Sequence, residues 1–107
     1  MNLDRIEQLK RFLAQTPDDS FLLYALALEY VNVGEYKLAE GLFQTLLAKY
    51  PDYIATYYQY GKLLEQMDRP HLARDRYLAG ISVAERQNDS HSLRELREAH
   101  YNLELEL

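Results

Sequence analysis

Moved along itself by 34 residues, the chain matches itself. Pro17 falls on Pro51, Asp18 on Asp52, Tyr24 on Tyr58, Leu38 on Leu72 and Ala39 on Ala73. Phe43 falls on Tyr77 and Ala27 on Gly61, keeping an aromatic ring in one case and small size in the other. A period of this length marks a chain assembled from one repeated supersecondary unit, because each unit buries its apolar face only against its neighbours. The identical positions are few, but they are the prolines, small residues and rings that set turns and close packing.

Glycine and proline punctuate segments of helical apolar spacing. Residues 3–15 carry Leu3, Ile6, Leu9, Phe12 and Leu13 on one stripe and end before Pro17. Residues 20–33 are apolar almost throughout and stop at Gly34, which tolerates the positive φ of a helix C-terminus. Residues 36–49 carry Tyr36, Ala39, Phe43, Leu46 and Leu47. Asp52 is placed to cap a helix running to about Met67. Pro70 suits the first turn of the next helix, which runs to about Gln87. After the turn Asn88-Asp89-Ser90, Ser92 and Glu95 have capping-box spacing for a last helix through Leu105. Leu103, Leu105 and Leu107 alternate with Glu104 and Glu106, which reads as a fraying helix end or a contact strip rather than a strand, so the spacing predicts six helices joined by short turns.

Within the first unit the order is Leu23, Leu26, Ala27, Tyr30, then Gly34, Tyr36, Ala39, Phe43, Leu46 and Pro51. The second gives Tyr57, Tyr60, Gly61, Leu64, then Ala73, Tyr77 and Gly80. This pattern resembles the tetratricopeptide repeat. Its physical basis is visible in the residues. Ala27, Gly61, Ala39 and Ala73 are small where the paired helices approach, larger residues fill the space around them, and the closing proline stops the second helix. The second unit departs from the pattern at Asp68, where a glycine belongs, and at Glu85, where a proline belongs, so its second helix is expected to run longer. Residues 90–107 depart further, with His91, Arg94 and Glu98 at positions that take large apolar residues, and read as a capping helix. The expected fold is all-α, a right-handed solenoid of two helical hairpins with one extra helix at each end. Its expected division, within one domain of residues 1–107, is a flanking helix 1–17, repeats 18–51 and 52–87, and a cap 88–107.

The totals narrow the function. A net charge of −5 argues against nucleic acid, and the densest basic cluster, Arg69, Arg74 and Arg76, has Asp68 and Asp75 within it. With no cysteine there is neither a disulfide framework nor a thiolate metal site. No long uncharged apolar run suggests a membrane span. Asp4, Arg5 and Glu7 do not read as a signal peptide, so a cytoplasmic protein is expected. His71, His91 and His100 do not form a ligand set: nine positions put His91 and His100 about 180° apart on one helix. Glu95 and Glu98 read as a solvated helix face, and no phosphate loop or nucleophile motif occurs. Neither a cofactor nor an enzyme activity is expected.

The resemblance implies that the first helix of each repeat lines a concave face where peptides or partner helices bind. Carried onto this chain, those positions include Phe21, Tyr24, Leu28, Val31 and Asn32, then Tyr58, Lys62 and Glu65. The expected site is a groove with an apolar floor at Phe21, Tyr24, Leu28 and Val31 and a polar side at Tyr58, Lys62 and Glu65, taking a protein or peptide. Against this stands the bland alternative in which Phe21 and Tyr24 pack on the N-terminal helix and close an inert domain. Some repeats of this family grip a C-terminal carboxylate with lysine and asparagine. Tyr24 and Leu28 stand at the corresponding positions, which removes that clamp. A third reading is structural, with the same surface pairing two copies as a homodimer. Of the four tyrosines between positions 53 and 60, Tyr57 and Tyr60 are expected in the core, Tyr53 in the first turn against the preceding hairpin, and Tyr58 on the concave side.

Overall fold

The computed structural model describes residues 2–107. Among them are six α-helices and no strand: α1 (Asn2–Gln15), α2 (Ser20–Asn32), α3 (Tyr36–Lys49), α4 (Ala55–Gln66), α5 (Pro70–Gln87) and α6 (Ser90–Glu106). They fall into two units, Met1–Tyr53 holding α1 to α3 and Ile54–Leu107 holding α4 to α6.

Three helix ends use one device. After α2, the Gly34 N–H donates to Val31 O at 3.1 Å and the Glu35 N–H to Tyr30 O at 2.9 Å. After α4, Asp68 donates to Glu65 O at 3.1 Å and Arg69 to Leu64 O at 2.9 Å. After α5, Asn88 donates to Glu85 O at 3.2 Å and Asp89 to Ala84 O at 3.0 Å. Each is a Schellman closure, which satisfies the last carbonyls through one residue in the left-handed region. Those residues are Gly34 at φ 81°, Asp68 at φ 60° and Asn88 at φ 55°. Asp68, a departure in sequence, therefore reproduces the glycine's geometry at the same place in the repeat, at a steric cost of about 1 kcal/mol.

The helix starts differ from expectation in two places. Asp19 caps α2, its Oδ1 accepting the Leu22 N–H at 3.0 Å. Asp52 does not cap α4: it lies in the preceding turn, α4 begins at Ala55, and Ile54 supplies no side-chain acceptor. The reason lies in register, because the residue 34 positions after Asp19 is Tyr53, which cannot do an aspartate's work there. Tyr53 itself precedes α4 rather than sitting in its first turn. At the last helix the cap is Asp89, not Ser92. Asp89 Oδ1 accepts from the Ser92 N–H at 3.0 Å and Oδ2 from the Ser92 hydroxyl at 2.8 Å, so Ser92 is the partner inside the first turn. Those bonds hold the Asp89 carboxyl below its ordinary pKa.

In the first unit α2 packs against both α1 and α3. Ala27, Ala39, Phe43 and Leu46 are fully enclosed there. The stripe on α1 is narrower than its spacing suggests: Ile6 and Leu9 are buried, while Leu3 and Phe12 are exposed. One covering helix shields only part of a helix's circumference, and nine positions place Leu3 and Phe12 on opposite sides. In the second unit α5 packs against α4 and α6. Its 18 residues against 14 in α3 match the extension expected from Glu85. Two glycines permit these crossings. A Cβ on Gly61 would stand 2.2 Å from Tyr77 Cε1, and one on Gly80 would stand 2.6 Å from Tyr57 Cβ and 3.1 Å from Leu96.

Candidate partner-binding surface

At 100° per residue, the α2 residues Phe21, Tyr24, Leu28, Val31 and Asn32 fall within one arc of about 100°. Leu23, Ala27 and Tyr30, on the other side of α2, are buried. The arc is only partly covered. Phe21 is 62% exposed, Asn32 is exposed, and Tyr24, Leu28 and Val31 are half-buried. Four apolar side chains and one amide thus line a strip without a charge. The bland alternative does not describe Phe21, which is among the most exposed apolar residues of the chain.

Tyr24 is braced by a second ring. Its ring meets Tyr53 edge-on, with centroids 5.6 Å apart and planes at 66°, a favoured aromatic geometry. The turn that delivers Tyr53 is tied to the start of α2. Lys49 Nζ lies 2.9 Å from Asp18 Oδ1, and the Tyr50 hydroxyl donates to the Asp18 carbonyl. The hydrogen bond to Asp18, with its charge, raises the Lys49 pKa. Burial, with Asp19 nearby, pushes the Tyr53 phenol above its ordinary value. Tyr53 therefore packs on the preceding hairpin, as expected, and braces one of the predicted site residues.

The expected residues on α4 divide. Tyr58 is half-buried and Lys62 exposed, with the Lys62 ammonium 5.5 Å from the Tyr58 ring centroid, within cation–π range. Glu65, half-buried, accepts a hydrogen bond from the hydroxyl of Tyr77, a fully enclosed ring that also lies 6.5 Å from Tyr58. Burial first, and the Glu65 carboxylate second, push the Tyr77 phenol well above its ordinary range. This link was not foreseen, yet the repeat carried its signal. The residues 34 positions before Glu65 and Tyr77 are Val31 and Phe43, so both members of one pair became polar in the same repeat. A buried phenol needs an acceptor, and Glu65 provides it.

His91 and His100 each face a carboxylate one helical turn on, Glu95 at 4.0 Å and Glu104 at 3.7 Å. Among the described residues no group of three histidine or acidic side chains is placed to hold a metal ion, and no helix is long and apolar enough to cross a membrane.

Helix pairs with small residues at their crossings, repeated at 34 positions with matching turn closures, define a helical-repeat protein. No protein-family profile and no curated protein sequence matches the chain. Solved structures do. A tetratricopeptide repeat domain protein from Salinibacter ruber, determined in solution, is 41% identical with a TM-score of 0.79, over 82% of this chain and 89% of that one. A crystal structure of the Salinibacter ruber domain gives 40% identity and a TM-score of 0.77, over 81% and 97%. A Bordetella parapertussis protein is 25% identical with a TM-score of 0.83, over 94% and 88%. The chain belongs to the tetratricopeptide repeat family.

Proposed function

We propose that this chain is a non-catalytic interaction module that binds a protein segment, a peptide or a helix, on the first helices of its repeats. The observation that carries the reading is the uncharged strip on α2, where Phe21 is 62% exposed and Tyr24, Leu28 and Val31 are half open. Contiguous apolar exposure of this kind marks partner surfaces, and rings supply large contact area at low entropic cost. Within the second unit, Tyr58 and Lys62 on α4 form a polar pair of their own, able to meet a carboxylate or a carbonyl. Asn32 offers a side-chain amide at the C-terminal end of the strip, where a peptide backbone would find both donor and acceptor. A cytoplasmic setting suits this module.

The test is a pull-down from the native cell with the wild-type chain and with Tyr24→Ala/Leu28→Ser. Retained helical circular dichroism establishes that the variant is folded. The reading expects partners recovered by the wild type to be lost with the variant. Undiminished recovery by a folded variant rejects this surface. Light scattering over a dilution series tests self-pairing: a protein that stays monomeric when concentrated excludes the homodimer.

A further inference from the structure

Helix α1 is thinly held. Of its apolar side chains only Ile6 and Leu9 are buried, whereas α2 buries five residues and α4 six. Within its unit, among the described residues, it packs on α2 and not on α3. Its cross-helix ion pair runs from Arg5 Nε to Glu29 Oε2 at 3.0 Å. Glu29 is only 13% exposed, and its second oxygen, Oε1, is buried with no hydrogen-bond partner among the described residues. A buried carboxylate is best satisfied by both arms of a guanidinium, and Arg5, itself 53% exposed, gives it one.

The chain beyond α1 is anchored independently of it. Asp18 is held by Lys49 and Tyr50 of the α2–α3 hairpin, and Asp19 caps α2. Thr16 and Pro17 form the joint between those anchors and α1. Release of α1 at that joint leaves the hairpin's own hydrogen bonds in place. It uncovers the α2 face that carries Leu22, Ala25 and Glu29, residues at helical spacing and about a quarter turn around α2 from the open strip.

We propose that α1 is a displaceable strap, occupying a helix-docking surface on α2 at Leu22, Ala25 and Glu29. The surface takes an amphipathic partner helix with an arginine directly before the first of two large apolar residues three positions apart. Arg5, Ile6 and Leu9 give that pattern in the strap itself. A partner whose guanidinium engages both Glu29 oxygens satisfies the surface better than the strap does. The strap compensates by its tether, which gives it a high effective concentration. This surface is separate from the open strip, so Tyr24→Ala/Leu28→Ser leaves it unchanged.

The probe is a fluorescent synthetic peptide of residues 2–16, titrated against the full chain by anisotropy. The strap is loosened in the full chain by Ile6→Ala/Leu9→Ala. The expected result is binding at least about tenfold tighter to the loosened chain than to the wild type, since the tethered competitor is weakened. Glu29→Gln added to the loosened chain weakens the peptide severalfold. A peptide carrying Arg5→Glu regains affinity for a loosened chain carrying Glu29→Arg. Equal affinity for the wild-type and loosened chains, or no binding to a loosened chain of native helicity, overturns the proposal. Hydrogen exchange on the wild type needs no variant. Amides of residues 8–14 should exchange at least about tenfold faster than those of α2 and α3, and equal protection also overturns it.

Discussion

Replacing Glu65 and Tyr77 by their counterparts in the first repeat, Val and Phe, tests whether the second repeat carries a matched polar substitution. Tyr77→Phe removes a hydroxyl that donates to Glu65 and leaves the enclosed ring in place. A hydrogen bond to a charged group contributes about 1.5–3 kcal/mol. Glu65 is half-buried, so water partly replaces the lost donor, and the expected cost is about 1–2 kcal/mol. Glu65→Val leaves the phenol enclosed without its acceptor, costing about 1–3 kcal/mol, offset by about 1 kcal/mol from the added apolar burial. With both changed, neither penalty remains and the pair is that of Val31 and Phe43. The double variant should lie within about 1 kcal/mol of the wild type, with a coupling of about 2 kcal/mol. Urea unfolding of the four proteins followed by circular dichroism measures it. Effects that add to within about 0.5 kcal/mol would refute the reasoning, because independent sites behave that way. The same pair sets a pH dependence. The folded phenol is raised above its ordinary 10.0, so the folded state keeps its proton where the unfolded state loses it. That contribution is fully present below pH 10 and is lost as pH rises further, at up to about 1.4 kcal/mol per unit. Tyr77→Phe should show the shallower decline.

Gly61→Ala sets a methyl against the Tyr77 ring, where the open distance is 2.2 Å, and should destabilise by about 2 kcal/mol in urea despite alanine's better helix propensity. Asp68→Gly relieves a left-handed aspartate and should raise stability by about 0.5–1 kcal/mol, while Gly34→Ala at φ 81° should lower it by about 1 kcal/mol. Thr56→Val removes a fully enclosed hydroxyl that has no hydrogen-bond partner among the described residues and should stabilise by about 1 kcal/mol, read as a higher urea midpoint.

The helices were legible because their punctuation is chemical: Gly34 at a left-handed turn, Pro70 at a first turn, and small residues wherever two helices cross. Two caps were misplaced for a related reason. Register decides both: Asp52 lies two positions before the residue that precedes α4, so no side chain caps that helix, whereas Asp89 directly precedes α6 and reaches its free N–H. Asp89 wins over Ser92 because the left-handed Asn88 starts the next helix immediately after it. At the surface, the family resemblance singled out Phe21, Tyr24, Leu28 and Val31, and these residues are partly open. The sequence did not reveal that Tyr53 braces Tyr24, that Tyr77 engages Glu65, or that Arg5 meets Glu29, since each joins residues distant in the chain. Only the Tyr77–Glu65 link left a trace, as two simultaneous polar changes between repeats.

The chain has no cysteine, so single-cysteine variants allow site-directed crosslinking without background. Phe21→Cys on α2 and Leu38→Cys on α3 place a photoreactive label at apolar positions of similar exposure, 62% and 51%, on two different helices. Irradiation in the native lysate, followed by mass spectrometry of the adducts, tests the central claim directly. The account predicts a defined partner crosslinked from position 21 and absent from position 38. The same partner crosslinked from position 38 and not from 21 would contradict it.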